Sequence, residues 1–167
     1  MLKILEFDEL TSTNDYAFEF AKQLDNMTDV LILARRQIAG RGRLNERTWV
    51  SIDGNFHGTY IMNVDSSLVL MHNMLSAIKD FIEQITKASD VTRNIVIKSP
   101  NDVLIEGKKV AGALIEAFLP FVFVGIGINL CVAPLKTAAD LKSEFGSSII
   151  PKEAGAKLYN CLLGRIK

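Results

Sequence analysis

Apolar positions recur along this chain with two different periods, and the change of period marks out its elements. From Leu2 to Phe7 they alternate, which predicts a first strand. Ala17, Phe20, Ala21 and Leu24 then follow at helical spacing. Ahead of them stands Thr11-Ser12-Thr13-Asn14-Asp15, whose short polar side chains suit the free amides of a helix start, so a helix reaching Leu24 is predicted. Val30 to Arg36 reads as a buried strand ending in charge, and Phe56 to Val64 as another. Met71, Met74, Leu75, Ile78, Phe81, Ile82 and Ile85 share one stripe, predicting an amphipathic helix over 68–87 with its methionines as core filler.

The densest apolar patterning lies between Ile95 and Leu130. Runs at Ile95–Ile97, Asp102–Ile105, Val110–Phe118 and Phe121–Leu130 are separated by Ser-Pro-Asn, Glu-Gly-Lys and Leu-Pro turns. An antiparallel meander is predicted. Its polar residues are placed unevenly: Lys98, Asn101 and Asp102 cluster at one turn, Lys109 opens the next strand, and Asn129 closes the last. Gly125 and Gly127 point to one face of that strand, which suits a bulge, a tight packing contact or the close approach of a ligand. They are no dinucleotide fingerprint, since no third glycine opens a helix after them. In a regular strand Lys109 and Gly112 have opposite parity, so both line one pocket only through a bulge or a backbone contact. Beyond Leu130 come Pro134 and a polar segment. A final helix from Pro151 to Ile166 then carries Ala154, Leu158 and Leu162 on one side.

Composition narrows the class. A chain of 167 residues with 49% hydrophobic and 23% charged residues suits one globular domain. Formal net charge is +0, which argues against a nucleic-acid partner and leaves any acidic ligand to local cations. There is no long apolar run and no signal-peptide pattern at MLKILEFDEL, so a cytoplasmic protein without a membrane partner is expected. Cys131 and Cys161 lack metal or redox spacing and read as idle thiols, and His57 and His72 as structural or surface residues.

The loop Gln37-Ile38-Ala39-Gly40-Arg41-Gly42-Arg43 alternates glycine with arginine. It reads either as an ordinary solvated loop or as a flexible cationic one whose guanidinium forks suit carboxylate or phosphate oxygens. Taken in order, this loop, Lys98-Ser99-Pro100-Asn101-Asp102, Lys109-Val110-Ala111-Gly112 and Gly125-Ile126-Gly127-Ile128-Asn129 resemble the signatures of biotin–protein ligases. The family forms are G-R-G-R, K-W-P-N-D, K-x-x-G and G-I-G-x-N. Ser12, Thr13 and Asn14 match the family's Ser-Thr-Asn, and Trp49 its nearby tryptophan. Leu44-Asn45-Glu46-Arg47 and Ser51-Ile52-Asp53-Gly54 depart from the family pattern, and Ser99 replaces a tryptophan. The resemblance covers the catalytic domain only, so residues 1–167 are expected to form one such domain, with neither an N-terminal DNA-binding domain nor a small C-terminal β domain.

The resemblance implies an α+β fold: a mixed, mainly antiparallel sheet with helices on one face and the ligand on the other. It implies ATP-dependent formation of biotinyl-5′-AMP and transfer of biotin to a lysine of a biotin carboxyl carrier protein, with Mg²⁺ accompanying the ATP. Ser12, Thr13, Asn14, Gln37, Gly40, Arg41, Lys109, Gly112, Gly125 and Gly127 would then bind biotin. Arg43, Trp49, Lys98, Asn101 and Asn129 would serve the nucleotide, with Asn129 also a candidate for the metal. Lys109, Arg43 and Asp102 are the candidate catalytic residues, Lys109 between carboxylate and α-phosphate and Asp102 steadying a lysine by charge. Two other readings stay open. One is a lipoate–protein ligase; the other is a binder of biotin or biotinyl-adenylate without turnover.

Overall fold

The computed structural model describes residues 1–24, 29–42, 48–64, 71–118 and 120–166. In chain order the elements are β1 (Lys3–Leu10), α1 (Thr13–Ala21), β2 (Val30–Gln37), β3 (Phe56–Met62), α2 (Met71–Thr86), β4 (Ile95–Lys98), β5 (Asp102–Ile105), β6 (Lys108–Phe118), β7 (Phe121–Ile128), α3 (Leu141–Phe145) and α4 (Pro151–Arg165). The strands form one sheet in the order β1-β2-β3-β7-β6-β5-β4. Among the described strands only β1 and β2 pair in parallel, joined through α1; every other neighbouring strand pair is antiparallel. The expected mixed, mainly antiparallel sheet is therefore present, and β4 to β7 form the expected meander.

Residue parity divides the sheet into two faces. Leu31 and Leu33 of β2, Phe56, Tyr60 and Met62 of β3, and Val122, Val124, Ile126 and Ile128 of β7 bury themselves with α2 and α4 in the main core. Met74, Ile78, Phe81 and Ile82 of α2 are fully buried there, each such side chain contributing about 1.5–3 kcal/mol by leaving water. Tyr60 reaches through this core to donate its hydroxyl to the Gly155 carbonyl of α4 at 2.9 Å. The second face holds a smaller cluster in which Ala17 and Ala21 of α1 pack on Val30, Ile32, Ile61, Phe121 and Phe123. Two long helices thus occupy the face expected for helices, but α1 lies on the opposite one. It is there because Ala17 and Ala21 leave little bulk between helix and sheet, and this brings its N-terminus beside the ligand face.

Boundaries follow local chemistry. The hydroxyl oxygen of Ser12 caps α1 by accepting from the Asp15 amide at 3.4 Å. Pro151 starts α4 at a position where its missing amide costs nothing. The helix expected over 68–87 is present as Met71–Thr86, its first expected residues lying outside the described ones. The segment after Pro134 contains the unforeseen α3, where Asp140 accepts from the Ser143 amide at 2.8 Å.

Candidate active site

The second face of the sheet becomes a cleft between α1, the Gly-Arg loop and strands β3, β7 and β6. Its floor is made by side chains that are small or missing. Gly112 of β6 pairs with Gly127 of β7, which pairs with His57 of β3; one row further, Leu114, Gly125 and Thr59 line up. Each β7 glycine makes room for a neighbour. A Cβ on Gly125 would stand 2.1 Å from Asn14 Oδ1, and one on Gly127 would stand 2.4 Å from the Trp49 indole. The glycines of this strand therefore answer first to protein side chains that reach over the sheet, and through them to whatever the cleft holds.

Lys109 and Gly112 both line this cleft. The register between β5 and β6 shifts at Val103/Leu104, with Val103 opposite Ala111 and Leu104 opposite Lys109. Val110 and Ala111 both turn into the core, so Lys109 and Gly112 on either side of them line the cleft. Lys109 Nζ stands 2.7 Å from Asp102 Oδ1 and 5.4 Å from the centre of the Trp49 ring. The lysine–aspartate contact is a close ion pair, and the buried Asp102 Oδ1 has no further partner among the described residues.

At the other end of the cleft runs a chain of polar contacts. The side-chain oxygen of Gln37 accepts from the Thr13 amide at 2.7 Å and lies 3.0 Å from the Thr13 hydroxyl. The hydroxyls of Thr13 and Thr59 are 2.8 Å apart, and the Thr59 hydroxyl is 2.5 Å from Asn14 Oδ1. Asn14 Nδ2 donates to Glu116 at 2.7 Å. Glu116 also receives Arg41 in bidentate fashion at 3.2 and 2.8 Å, while Arg41 meets Asp15 at 2.8 Å. Ser12, Thr13, Asn14, Thr59 and His57 are all buried. Beside the lysine, Trp49 donates its indole N–H to His57 Nδ1 at 3.1 Å, and His57 Nε2 contacts the Ile52 carbonyl at 3.2 Å. Burial pushes the His57 pKa down, so the ring is neutral, with Nε2 carrying the proton.

Of the residues read from the sequence, Ser12, Thr13, Asn14, Gln37, Arg41, Trp49, Asn101, Lys109, Gly112, Gly125 and Gly127 line this one cleft. Gly40 sits just behind it, where a Cβ would come within 2.9 Å of the Trp49 carbonyl oxygen. Asp102 joins through Lys109, while Lys98 pairs with Asp102 across β4 and β5 outside the lining. Asn129 is buried beneath Lys109, donating to the carbonyls of Ala139 at 2.9 Å and of Lys109 at 3.5 Å; its Oδ1 has no partner among the described residues. Arg43 and the departing residues Leu44 to Arg47 lie outside the described residues. Glu116 and Thr59 escaped the sequence reading, while His57 was read as structural or surface and Ser51, whose hydroxyl accepts from the Gln37 amide at 2.9 Å, only as a departure from the family pattern. His57 and Thr59 did leave a signal: they are the polar members of an alternating strand otherwise filled by Phe56, Tyr60, Ile61 and Met62.

Among the described residues no group of three or more His, Cys, Asp or Glu is placed to hold a metal ion, and no helix is long and apolar enough to cross a membrane. Residues 6–129 match the family model for the biotin/lipoate A/B protein ligase family. A biotin–[acetyl-CoA-carboxylase] ligase of Paracoccus denitrificans is 35% identical over 156 residues, which is 85% of this chain. The match spans 64% of that ligase's own length. The biotin protein ligase of Leishmania major, solved in complex with biotinyl-5-AMP, superposes with a TM-score of 0.85 at 25% identity, covering 98% of this chain and 74% of its own. That of Aquifex aeolicus, solved with biotin and ATP, gives 0.78 at 26% identity, covering 98% and 70%.

Proposed function

Because this chain belongs to the biotin/lipoate A/B protein ligase family, we propose that it carries the catalytic domain of an ATP-dependent biotin–protein ligase. In the first step a biotin carboxylate oxygen attacks the α-phosphorus of ATP, the bond to the β-phosphate breaks, and pyrophosphate leaves. In the second the amine of a carrier lysine attacks the acyl carbon, the acyl–oxygen bond breaks, and AMP leaves with the electron pair. Two anions must meet in the first step, so a fixed cation between them lowers the barrier. Lys109 is that cation. The observation that carries the reading is the bulge in β6, which turns Lys109 into the same cleft as the Thr13–Gln37 end.

Asp102, ion-paired through Oδ1 with Lys109 at 2.7 Å, would steady that lysine, or the incoming carrier lysine, by charge. Trp49 and Asn101 flank the lysine end, where the nucleotide would lie, and Arg43 would hold the adenylate. Mg²⁺ would neutralise phosphate charge, keeping most of its waters and binding chiefly through phosphates. The unpartnered Asn129 Oδ1 is the acceptor nearest to that role. The acceptor substrate is a lysine of a biotin carboxyl carrier protein, and a reaction that consumes ATP is compatible with the cytoplasm.

Biotin is favoured over lipoate because Thr13 and Gln37 offer hydrogen bonds that a cyclic urea uses and a dithiolane does not. ATP–pyrophosphate exchange tests the reading. Exchange should require biotin and should not proceed with lipoate. Exchange driven by lipoate moves the protein to that branch of the family, and biotin binding without exchange makes it a binder.

A further inference from the structure

Glu116 lies outside the motifs read from the sequence. It stands on the ligand face of β6 among apolar and small residues, and both of its oxygens are engaged. We propose that Glu116 is a positioning residue that sets the direction of the whole hydrogen-bond chain along the cleft, and with it the donor–acceptor pattern offered to a cyclic urea. This rests on the biotin reading for the identity of the ligand.

Each proton along the contacts has one place to go. As a carboxylate Glu116 only accepts, so Asn14 must turn its Nδ2 toward it. Asn14 then presents Oδ1 to Thr59, and that carbonyl contact, 2.5 Å long, needs the single proton of the Thr59 hydroxyl. Thr59 then has nothing left to donate, so of the two oxygens that compete for the single Thr13 hydroxyl proton, Thr59 Oγ1 at 2.8 Å and Gln37 Oε1 at 3.0 Å, it is Thr59 that takes it. Gln37 Oε1 is satisfied by the Thr13 backbone amide at 2.7 Å. Thr13, with its proton committed to Thr59, faces the cleft as an acceptor. Gln37, with its oxygen committed to Thr13, keeps its amide N–H₂ as donor, 3.1 Å from where a Cβ on Gly40 would stand. One acceptor beside one donor is the complement of a urea N–H beside its carbonyl. Arg41 and Asp15 complete the device: the bidentate arginine holds Glu116 from the loop side, and Asp15 holds the arginine.

Glu116→Gln keeps the shape and removes the acceptor-only property. The Asn14 amide is then free to turn over, and the chain loses its single direction. With ATP saturating, the KM for biotin in adenylation should rise about tenfold, as a buried amide loses its charged acceptor, while kcat stays within about twofold. Asn14→Asp added to Glu116→Gln restores a one-way chain, since the introduced amide now donates and the introduced carboxylate only accepts. It should bring the KM back to within about threefold of the starting value. Exchange of the Asn14 side-chain amide protons, followed by NMR without ligand, should accelerate about tenfold in Glu116→Gln. Unchanged exchange, an unchanged KM, a loss confined to kcat, or a double variant weaker than the single one overturns the proposal. If exchange accelerates but the unsubstituted protein binds no biotin in calorimetry, Glu116 keeps its role and the biotin reading falls.

Discussion

On one side of β3, Phe56, Tyr60 and Met62 are fully buried among the apolar residues of α2 and α4; on the other side of the same strand, His57 and Thr59 are buried as deeply. The glycines differ in the same way. Gly155 of α4 lets the helix approach the sheet, since a Cβ there would stand 2.5 Å from Leu31 Cδ2. Gly125 instead lets a polar side chain, Asn14, lie flat on the sheet. One face is specified by volume, the other by who donates and who accepts. Equal burial therefore carries different consequences, and substitutions on the two faces should fail in different measurements.

The largest separation is expected at Lys109. Lys109→Ala removes a half-exposed cation from the ligand face without opening the core. Turnover should fall about 10²–10³-fold and biotin affinity by less, with a modest loss of thermal stability because Asp102 is left without its ion-pair partner. Single-turnover adenylation beside calorimetry checks it; equal small losses in both would make Lys109 an ordinary strand residue. Next come paired glycine substitutions. Gly125→Ala drives a Cβ into Asn14 and should weaken biotin binding up to about 10²-fold, the scale of a displaced positioning group. Gly155→Ala overpacks the core against Leu31 and Phe56, costing about 1–3 kcal/mol in unfolding, with biotin binding unchanged. If both variants lost binding and stability alike, the division between the faces would not hold.

The smallest effect concerns pH. Burial holds His57 below its ordinary pKa, so the unfolded chain takes up a proton that the folded one resists. The stabilisation is complete above about pH 6.5 and is lost as the pH falls from there toward the folded-state pKa, at no more than about 1.4 kcal/mol per unit. Melting temperature should drop between about pH 7.5 and 5.5, and His57→Gln should remove part of that drop. An identical slope in the variant would assign the pH dependence to other groups.

The core face is the legible one. Met71 to Ile85 announces α2 because packing a helix on a sheet requires one apolar stripe, and the stripe is written in local spacing. The meander is legible for a similar reason, its turns being marked by Pro100 and Gly107. On the ligand face only the motif residues stand out. Glu116 looks like any charge in a strand until β6 is set beside α1 and the loop, because its partners Asn14 and Arg41 are 102 and 75 residues away. Asn129 reads as a nucleotide residue, yet its amide also ties the Lys109 carbonyl to that of Ala139, a supporting duty that no local pattern expresses. The five residues of α3 escape notice for want of length, since a single turn capped by Asp140 has no period to detect.

The extra residue in β6 also says how this site can be altered. Lys109 and Gly112 share the cleft because of the course of the backbone between them, not because of what the intervening residues are. Val110 and Ala111 face the core, so exchange for other small apolar residues leaves the spacing intact. Loss of a single codon between them would remove the bulge yet leave Lys109 opposite Leu104 and the glycine opposite Asp102, the two still on one side by strict alternation. In heritable terms this stretch should tolerate spelling changes, and a one-codon deletion should straighten β6 without turning Lys109 away from the cleft.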